Sequence, residues 1–249
     1  MRNCLILGCG RSGTSMLGGT LAGAGYYMGS GLYRARGANP KGFFESLAVN
    51  AINERLLAPH APLRSRWWWL RVWRAIFPSE RWLARLPLAI KISATPKLAK
   101  RIAKQVARQP FAFKDPRFCY TLPAWRPLLP KDTAFLCIFR EPGRTAASIR
   151  EECRRKYPDV RLSDEEIFGI WSNMYRHVLD IHRREGDWLF VHFEQMLDGS
   201  ALTAIERHLD ARVNGDFPDS RLRRAQEQKA PEQTLAIYRE LCALAHYAA

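Results

Sequence analysis

The chain has 249 residues, enough to bury one sizeable core, and 47% of them are hydrophobic and 25% charged. These values are ordinary for a globular protein and exclude wholesale disorder. The formal net charge of +15 predicts an anionic partner, such as a phosphorylated nucleotide, a nucleic acid, an acidic acceptor or an anionic membrane. No apolar run approaches the roughly 20 residues of a membrane-spanning helix, and the first strand begins by Cys4. We therefore expect no signal peptide and a cytoplasmic location.

The six cysteines form neither a CxxC pair nor a zinc-finger spacing. Cys4 and Cys137 lie in apolar runs typical of buried strands, where a thiol acts as a small hydrophobic group. Reduced thiols are the expected state in the cytosol. Since no cluster of metal-ligating side chains is visible, the sequence predicts no metal ion.

Apolar runs and helical periodicity alternate along the chain. Strands are predicted over residues 4–7, 88–93, 111–114, 133–140 and 188–192. Helices are predicted over residues 12–24, 47–57, 64–77, 96–108, from 142, 163–183, 200–209 and 232–246. This alternation predicts a single α/β domain spanning residues 1–249, with three layers: helices cover both faces of a central parallel sheet of four or five strands.

Residues 64–77 (RSRWWWLRVWRAIF) are the most unusual stretch. As a helix they would carry tryptophans on one face and arginines on the other. Because Trp67, Trp68 and Trp69 cannot all face one core, at least one should meet a ligand, a lipid or a partner. We predict a helical insertion over about 60–88 that forms a lid, with Trp67 and Trp68 contacting an acceptor. A core helix with a basic outer face and peripheral membrane contact through this segment remain open.

A glycine-rich segment, GCGRSGTS at residues 8–15, follows the first strand and opens a helix. A turn of this kind lets backbone N–H groups converge on an anion, and the helix dipole adds positive charge. Hydroxyl groups and a permanently charged guanidinium add further donors. The predicted phosphate loop consists of Arg11, Ser12, Gly13, Thr14 and Ser15.

Two other phosphate-binding motifs also match residues 8–15 in part. Gly8, Gly10 and Gly13 match the dinucleotide fingerprint GxGxxG, which requires an acid about 20 residues further on. The first acid in the chain is Glu45, so an NADP-binding oxidoreductase is an alternative only if Arg34 or a nearby arginine binds the ribose phosphate. The lysine that a kinase or NTPase P-loop needs after its last glycine is replaced by a threonine.

Residues 11–15 resemble the 5′-phosphosulfate loop of bacterial-type sulfotransferases that use PAPS (3′-phosphoadenosine 5′-phosphosulfate), which reads Lys/Arg-Ser-Gly-Thr-Thr/Ser. A second element of that family is a strand ending in arginine, with a serine eight residues later on the following helix. Here these positions are Arg140 and Ser148. The resemblance implies that both residues bind the donor's 3′-phosphate, that PAP is the product, and that a sulfonate group moves to a hydroxyl or amine.

Similarity to the family extends to residues 39–45, 114–117 and 188–197. The chain also departs from the cytosolic small-molecule branch in two places. Lys114, Asp115 and Pro116 replace its Lys-Thr-His element, so the histidine base is missing. Its Arg-Lys-Gly element near the C-terminus is also missing, which leaves part of the 3′-phosphate site unassigned.

Sulfonyl transfer is an in-line displacement, in which positioning and charge stabilisation dominate. Arg11 and Lys114 are the candidates for stabilising the leaving phosphate oxygen. Glu45 is the predicted base, which the resemblance also implies, and neighbouring aromatic rings should raise its pKa by desolvation. The second and third candidates for the base are Asp115 and His60.

The alternatives for these residues are structural. Lys114 could instead form an ion pair with Asp115 or Glu45, and Glu45 could cap the helix that begins near residue 47. The predicted acceptor contacts, besides the two tryptophans, are Phe44, Asp115 and Arg117. The acceptor itself is left open as a small molecule, a sugar, a phenol, a lipid or a peptide.

A basic nucleic-acid-binding protein is the alternative outside enzymology. Residues 61–110 contain twelve Lys or Arg against one acid, together with several tryptophans. No nucleic-acid fold signature accompanies them, so we expect no nucleic-acid partner. The sequence does not define an oligomeric state.

Overall fold

The computed structural model describes residues 1–33, 41–64, 80–157, 159–219 and 228–248. Their strands form one sheet of four, in the order β2-β1-β3-β4, and every neighbouring pair is parallel. The strands are β1 (Cys4–Leu7), β2 (Ala112–Lys114), β3 (Ala134–Phe139) and β4 (Asp187–His192). The predicted α/β fold with a central parallel sheet is confirmed.

Helices cover both faces of this sheet. They are α1 (Thr14–Ala22), α2 (Leu47–Leu57), α3 (Pro96–Val106), α4 (Phe118–Trp125), α5 (Pro142–Lys156), α6 (Asp164–Arg176), α7 (Phe193–Leu197), α8 (Leu202–Leu209) and α9 (Glu232–Leu244). Within the described ranges, none is both long and apolar enough to cross a membrane.

The alternation of side chains along β1 separates two hydrophobic cores. Leu5 and Leu7 pack with α2, α4 and α6 on one face, whereas Cys4 and Ile6 pack with α1 and α8 on the other. All four residues are fully buried because helices cover both faces, which explains the uninterrupted apolar run in the sequence. The two cores are the physical basis of the three-layer architecture.

Several predicted boundaries agree with the structure. The helix predicted over 47–57 is α2, and the predicted capping box is present at the start of α6. There Ser163 accepts a hydrogen bond from the Glu166 N–H, and the Glu166 carboxylate accepts one from the Ser163 N–H. The α-helical part ends at Arg176 rather than near 183, because residues His177–Ile181 form a π-helical turn and His182–Arg184 a 3-10 turn.

The strand predicted over 88–93 is wrong. These residues form a turn and an irregular segment, with the Ile90 N–H bonded to the Pro87 carbonyl. Only Ile92 is buried there, while Leu88 is 41% exposed, so the apolar run anchors a loop beside α3. The helix predicted over 64–77 lies outside the described residues, apart from its first position.

Phe217 packs into a slot on α1. A Cβ atom on Gly19 would lie 2.1 Å from a Phe217 ring atom, and one on the preceding Gly18 would lie 3.1 Å from Phe44 Cβ. A mid-helix glycine costs about 1 kcal/mol relative to alanine, so two adjacent ones need a packing reason. The packing of Phe217 is that reason. Its ring fills the space beside Gly19 and packs edge-to-face against the Phe44 ring, with centroids 5.3 Å apart.

Replacing Gly19 by alanine should therefore displace Phe217 and destabilise the fold by about 1–3 kcal/mol, as overpacking does. Chemical denaturation measures the change. Gly169→Ala in α6 is the matched control, because its added methyl group would meet only the movable end of Arg85. That variant should keep or slightly raise stability. Equal stability of both variants would contradict this account of the slot.

Candidate functional site

The phosphate loop connects β1 to the N-terminus of α1 at the carboxyl edge of the sheet. Arg11 has a φ of 73° and Gly13 a φ of 97°, and such left-handed positions turn successive N–H groups toward one side. The first turn of α1 adds N–H groups with no intrahelical acceptor. Glycine is required at position 13, because a Cβ there would lie 2.6 Å from the Phe193 ring. The loop geometry therefore suits an anion, as the sequence predicted.

A buried tyrosine supports this loop from below. The Tyr175 hydroxyl accepts a hydrogen bond from the Cys9 N–H at 3.1 Å and donates one to the Ile138 carbonyl at 2.9 Å. Ser12 is also fully buried, with its hydroxyl 3.5 Å from that of Thr145 on α5. Ser12 thus braces the loop, which leaves Thr14 and Ser15 as its hydroxyl candidates for ligand contact.

The two sequence motifs meet in space. Arg11 Nε donates a hydrogen bond to Ser148 Oγ at 3.1 Å, across 137 positions of sequence. At the end of β3, the Arg140 guanidinium lies 4.3 Å from the centroid of the Phe193 ring. Phe193 therefore contacts both the phosphate loop and the arginine predicted to bind a second phosphate. Arg11 thus points toward Ser148 on α5.

That ion pair joins Lys114, at the end of β2, to Glu45. The Lys114 ammonium also donates to Ser15 Oγ at 3.2 Å, and its side chain is only 1% exposed. Burial alone would raise the pKa of Glu45, but Lys114 and Arg117 outweigh burial and hold that pKa below its usual value. The expected rise of this pKa is thus wrong, because the sequence did not reveal that two cations converge on one carboxylate.

Asp115 lies beneath Glu45 and shares a donor with it. Asn50 Nδ2 is 3.1 Å from oxygens of both carboxylates, and Asn53 and Arg117 also donate to Asp115 at 2.9 and 2.8 Å. Burial raises the pKa of Asp115, and the nearby charge of Glu45 adds to the rise against the opposing effect of Arg117. Asp115 and Arg117 are 0% and 1% exposed. Both are therefore buried supports of Glu45, and their predicted contact with an acceptor stays a prediction.

The charged network continues away from the site through Glu54, which the sequence analysis missed. Glu54 accepts from Arg117 Nε at 2.7 Å and from Arg81 Nη1 at 2.7 Å. A signal was present in the sequence, because Asn50, Asn53 and Glu54 are spaced to share one face of a helix. Three buried polar side chains on one helical face indicate a polar partner rather than an apolar core.

Tyr33 is a second site residue that the sequence did not indicate. Its N–H donates to the Glu45 carbonyl at 3.0 Å, beside the antiparallel bridge between Leu32 and Ser46, so Tyr33 and Glu45 are cross-strand neighbours. Burial raises the pKa of Tyr33 to about 12, with Arg117 opposing and Glu45 adding to the rise. On the other side, Phe44 has a left-handed φ of 53° and is half-buried. These two aromatic residues flank the predicted base.

Some predicted residues lie elsewhere. His60 is exposed beyond the C-terminal end of α2, about 16 Å of helix from the end that begins next to Glu45. It is therefore too remote to act as a base there. Trp67 and Trp68 lie outside the described residues. In the part of the chain that the structure covers, no three His, Cys, Asp or Glu side chains are arranged to bind a metal ion.

Neither a family model nor a curated protein sequence matches the chain. Solved structures do match. The sulfotransferase domain of the Synechococcus PCC 7002 olefin synthase has a TM-score of 0.56 and 16% identity over 97% of this chain and 96% of its own. The sulfotransferase domain of the curacin biosynthetic pathway has a TM-score of 0.57 and 12% identity over 100% and 99%. Sulfotransferase STF9 from Mycobacterium avium has a TM-score of 0.50 and 15% identity over 97% and 68%. The chain thus has the fold of sulfotransferase domains.

The lowered pKa of Glu45 predicts a pH dependence of stability. A carboxylate whose pKa is depressed on folding stabilises the protein above its ordinary value of 4.5, and this stabilisation is lost as the pH falls through the folded-state pKa. Glu45→Gln should therefore unfold about 3 kcal/mol more easily at pH 7, because Lys114 loses its counter-charge. The difference should shrink below pH 4.5 in denaturation experiments.

The exposed Glu185, 3.7 Å from Arg126, is the control for that experiment. Glu185→Gln should cost less than about 1 kcal/mol at either pH, because surface pairs contribute little. A pH-independent loss in Glu45→Gln would mean that Lys114 does not hold the pKa of Glu45 down.

Proposed function

We propose that the protein is a sulfotransferase, which moves a sulfonate group from PAPS to a hydroxyl or amine group of an acceptor. The observation that carries this proposal is the contact between Arg11 and Ser148. It joins two motifs that were identified separately, one for each phosphate end of the donor. The Lys114–Glu45 pair contacts the same loop at Ser15. The sulfotransferase fold supports the same reaction.

The chemistry of the available donors suits PAPS. Loop N–H groups with Thr14 and Ser15 would hold the 5′-phosphosulfate end, where a helix N-terminus favours negative charge. Arg140 and Ser148 would hold the 3′-phosphate, with the arginine kept in place by Phe193. Arg11 would lie between the two ends of the donor and contact either the 5′-phosphosulfate or the 3′-phosphate. A separate anchor at each end is what distinguishes a 3′-phosphorylated donor from ordinary ADP or ATP.

In the transfer, the acceptor oxygen or nitrogen forms a bond to sulfur while the bond from sulfur to the 5′-phosphate oxygen breaks. The proton of the acceptor passes to the Glu45 carboxylate, and the departing oxygen gains negative charge. Lys114 is placed to stabilise that charge because its ammonium already contacts Ser15 in the loop. The geometry favours Lys114 over Arg11 for this role.

Lys114 would also couple donor binding to base strength. Its charge holds the pKa of Glu45 low, which makes Glu45 a weak base before the donor binds. A donor anion beside Ser15 would draw the ammonium away from the carboxylate. The pKa of Glu45 would then rise, and with it the driving force for proton transfer.

The topology disfavours the dinucleotide-binding alternative. That fold requires a βαβ unit, in which the chain after α1 returns directly to a strand of the same sheet. Here the neighbours of β1 are β2 and β3, which begin at residues 112 and 134. Within the described residues that follow α1 most closely, the pairings are two isolated bridges, from Tyr27 to Phe111 and from Leu32 to Ser46. Arg34 and its neighbours lie outside the described residues.

The first test is the shift in melting temperature on adding PAP, with ADP, ATP and NADP at matched ionic strength. At 100 times its Kd, PAP should stabilise the protein by about 2.7 kcal/mol, and ADP by much less because it lacks the 3′-phosphate. Arg140→Ala should weaken PAP binding by about 1.5–3 kcal/mol through loss of a charged hydrogen bond. Arg154→Ala, which removes an exposed arginine of α5, the helix that follows Arg140, is the charge-matched control.

A shift with NADP or ATP but not with PAP would reject the proposed function. A PAP shift that survives in Arg140→Ala would reject only the 3′-phosphate assignment.

The second test separates the two carboxylates by turnover of labelled PAPS with a panel of phenols, sugars and amines. Glu45→Gln should abolish turnover while PAP still binds, because the proton acceptor is lost and the phosphate loop is intact. Glu45→Asp should restore part of the activity. Turnover near that of the unmodified protein in Glu45→Gln would transfer the role of base to another group.

A further inference from the structure

The outer face of α3 is a row of positive charges. In a helix, Lys97, Lys100, Arg101 and Lys104 fall within an arc of about 100°, opposite the apolar side of the helix. That apolar side packs on the core through Ile102 and Val106, which are 0% and 7% exposed. The three lysines are exposed. α3 packs on α2 and α4 in the outer layer, so this charged arc faces away from the protein.

This arrangement works against the stability of the helix itself. The first turn of α3 contains no acid and carries Lys97, although the helix dipole favours negative charge there. Like charges recur at spacings of three and four residues, which is mildly destabilising. The chain has no acid between Glu80 and Asp115, and across the described ranges none of the three lysines has an acidic partner. On α2, Arg55 adds another exposed positive charge close to Arg101.

We infer that this face, formed by Lys97, Lys100, Arg101 and Lys104, binds the surface of an anionic lipid bilayer. The four charges lie within one arc of about 100° on a single helix, so a flat anionic surface reaches all of them. Along the described length of α3, the exposed side chains are three lysines, an alanine and a proline, which offer charge without the amide or hydroxyl groups that recognise nucleic-acid bases. The loop just before α3 exposes Leu88, which can enter the interface beside the charges. The inference is independent of the proposed function.

Co-sedimentation of the full chain with lipid vesicles tests it. The protein should bind vesicles of phosphatidylcholine with about 30% phosphatidylserine at about 0.1 M salt, and pure phosphatidylcholine vesicles far less. The triple variant Lys97→Gln, Lys100→Gln and Lys104→Gln should bind the anionic vesicles about 100-fold more weakly, since three lysines near the surface are lost. Its melting temperature should be unchanged or higher, because mutual repulsion is removed.

The matched control removes three exposed basic side chains elsewhere, through Lys131→Gln, Arg184→Gln and Arg207→Gln. It changes the net charge equally and should retain vesicle binding. An equal loss of binding in both variants would overturn the inference by showing that net charge alone acts. Equal binding to neutral and anionic vesicles would also overturn it. Binding of short duplex DNA, but not of vesicles, with sensitivity to the α3 triple variant would assign the face to nucleic acid instead.

Discussion

The buried ion pair between Lys114 and Glu45 is the interaction on which the site depends. Lys114 ends a sheet strand, and Glu45 lies on an irregular loop, so the pair ties the loop to the edge of the sheet. It also joins the phosphate loop through Ser15. Because a buried charge without a partner is strongly unfavourable, the loop carrying Glu45 has one favourable position. The site is thus ordered by electrostatics at the sheet edge and by packing around it.

Packing also positions the residues of the site, from two directions. Asn50 and Asn53 on α2 orient the carboxylates from below, while Phe217 holds Phe44 from above. The left-handed backbone at Phe44 is unfavourable by itself and persists because Phe217 packs on its ring and Lys114 holds the next residue, Glu45. Such strain next to a candidate base is consistent with a side chain that is positioned before its substrate arrives.

Short sequence patterns made much of the fold and of the candidate site predictable. The glycine-rich loop, the Arg140–Ser148 spacing and the capping box of α6 each lie within a short stretch, where neighbouring residues decide the outcome. An ion pair between Lys114 and Glu45 was one of the alternatives from the sequence, but the direction of the Glu45 pKa shift was not, because it depends on how Lys114 and Arg117 together outweigh burial. Tyr175 was missed as well, since a tyrosine in an amphipathic helix carries no sign that its hydroxyl supports a loop. The strand predicted over 88–93 was wrong because this apolar run anchors a loop and pairs with no strand.

The contact between Gly19 and Phe217 has a consequence for the order of folding during synthesis. The phosphate loop and α1 leave the ribosome early, but the residue that fills their slot follows about 200 residues later, whereas domains commonly fold as units during translation. Until then, the strained loop carrying Glu45 lacks the aromatic edge that holds it. The phosphate loop, α1 and the loop carrying Glu45 therefore reach their final packing only late in translation, when Phe217 has been made.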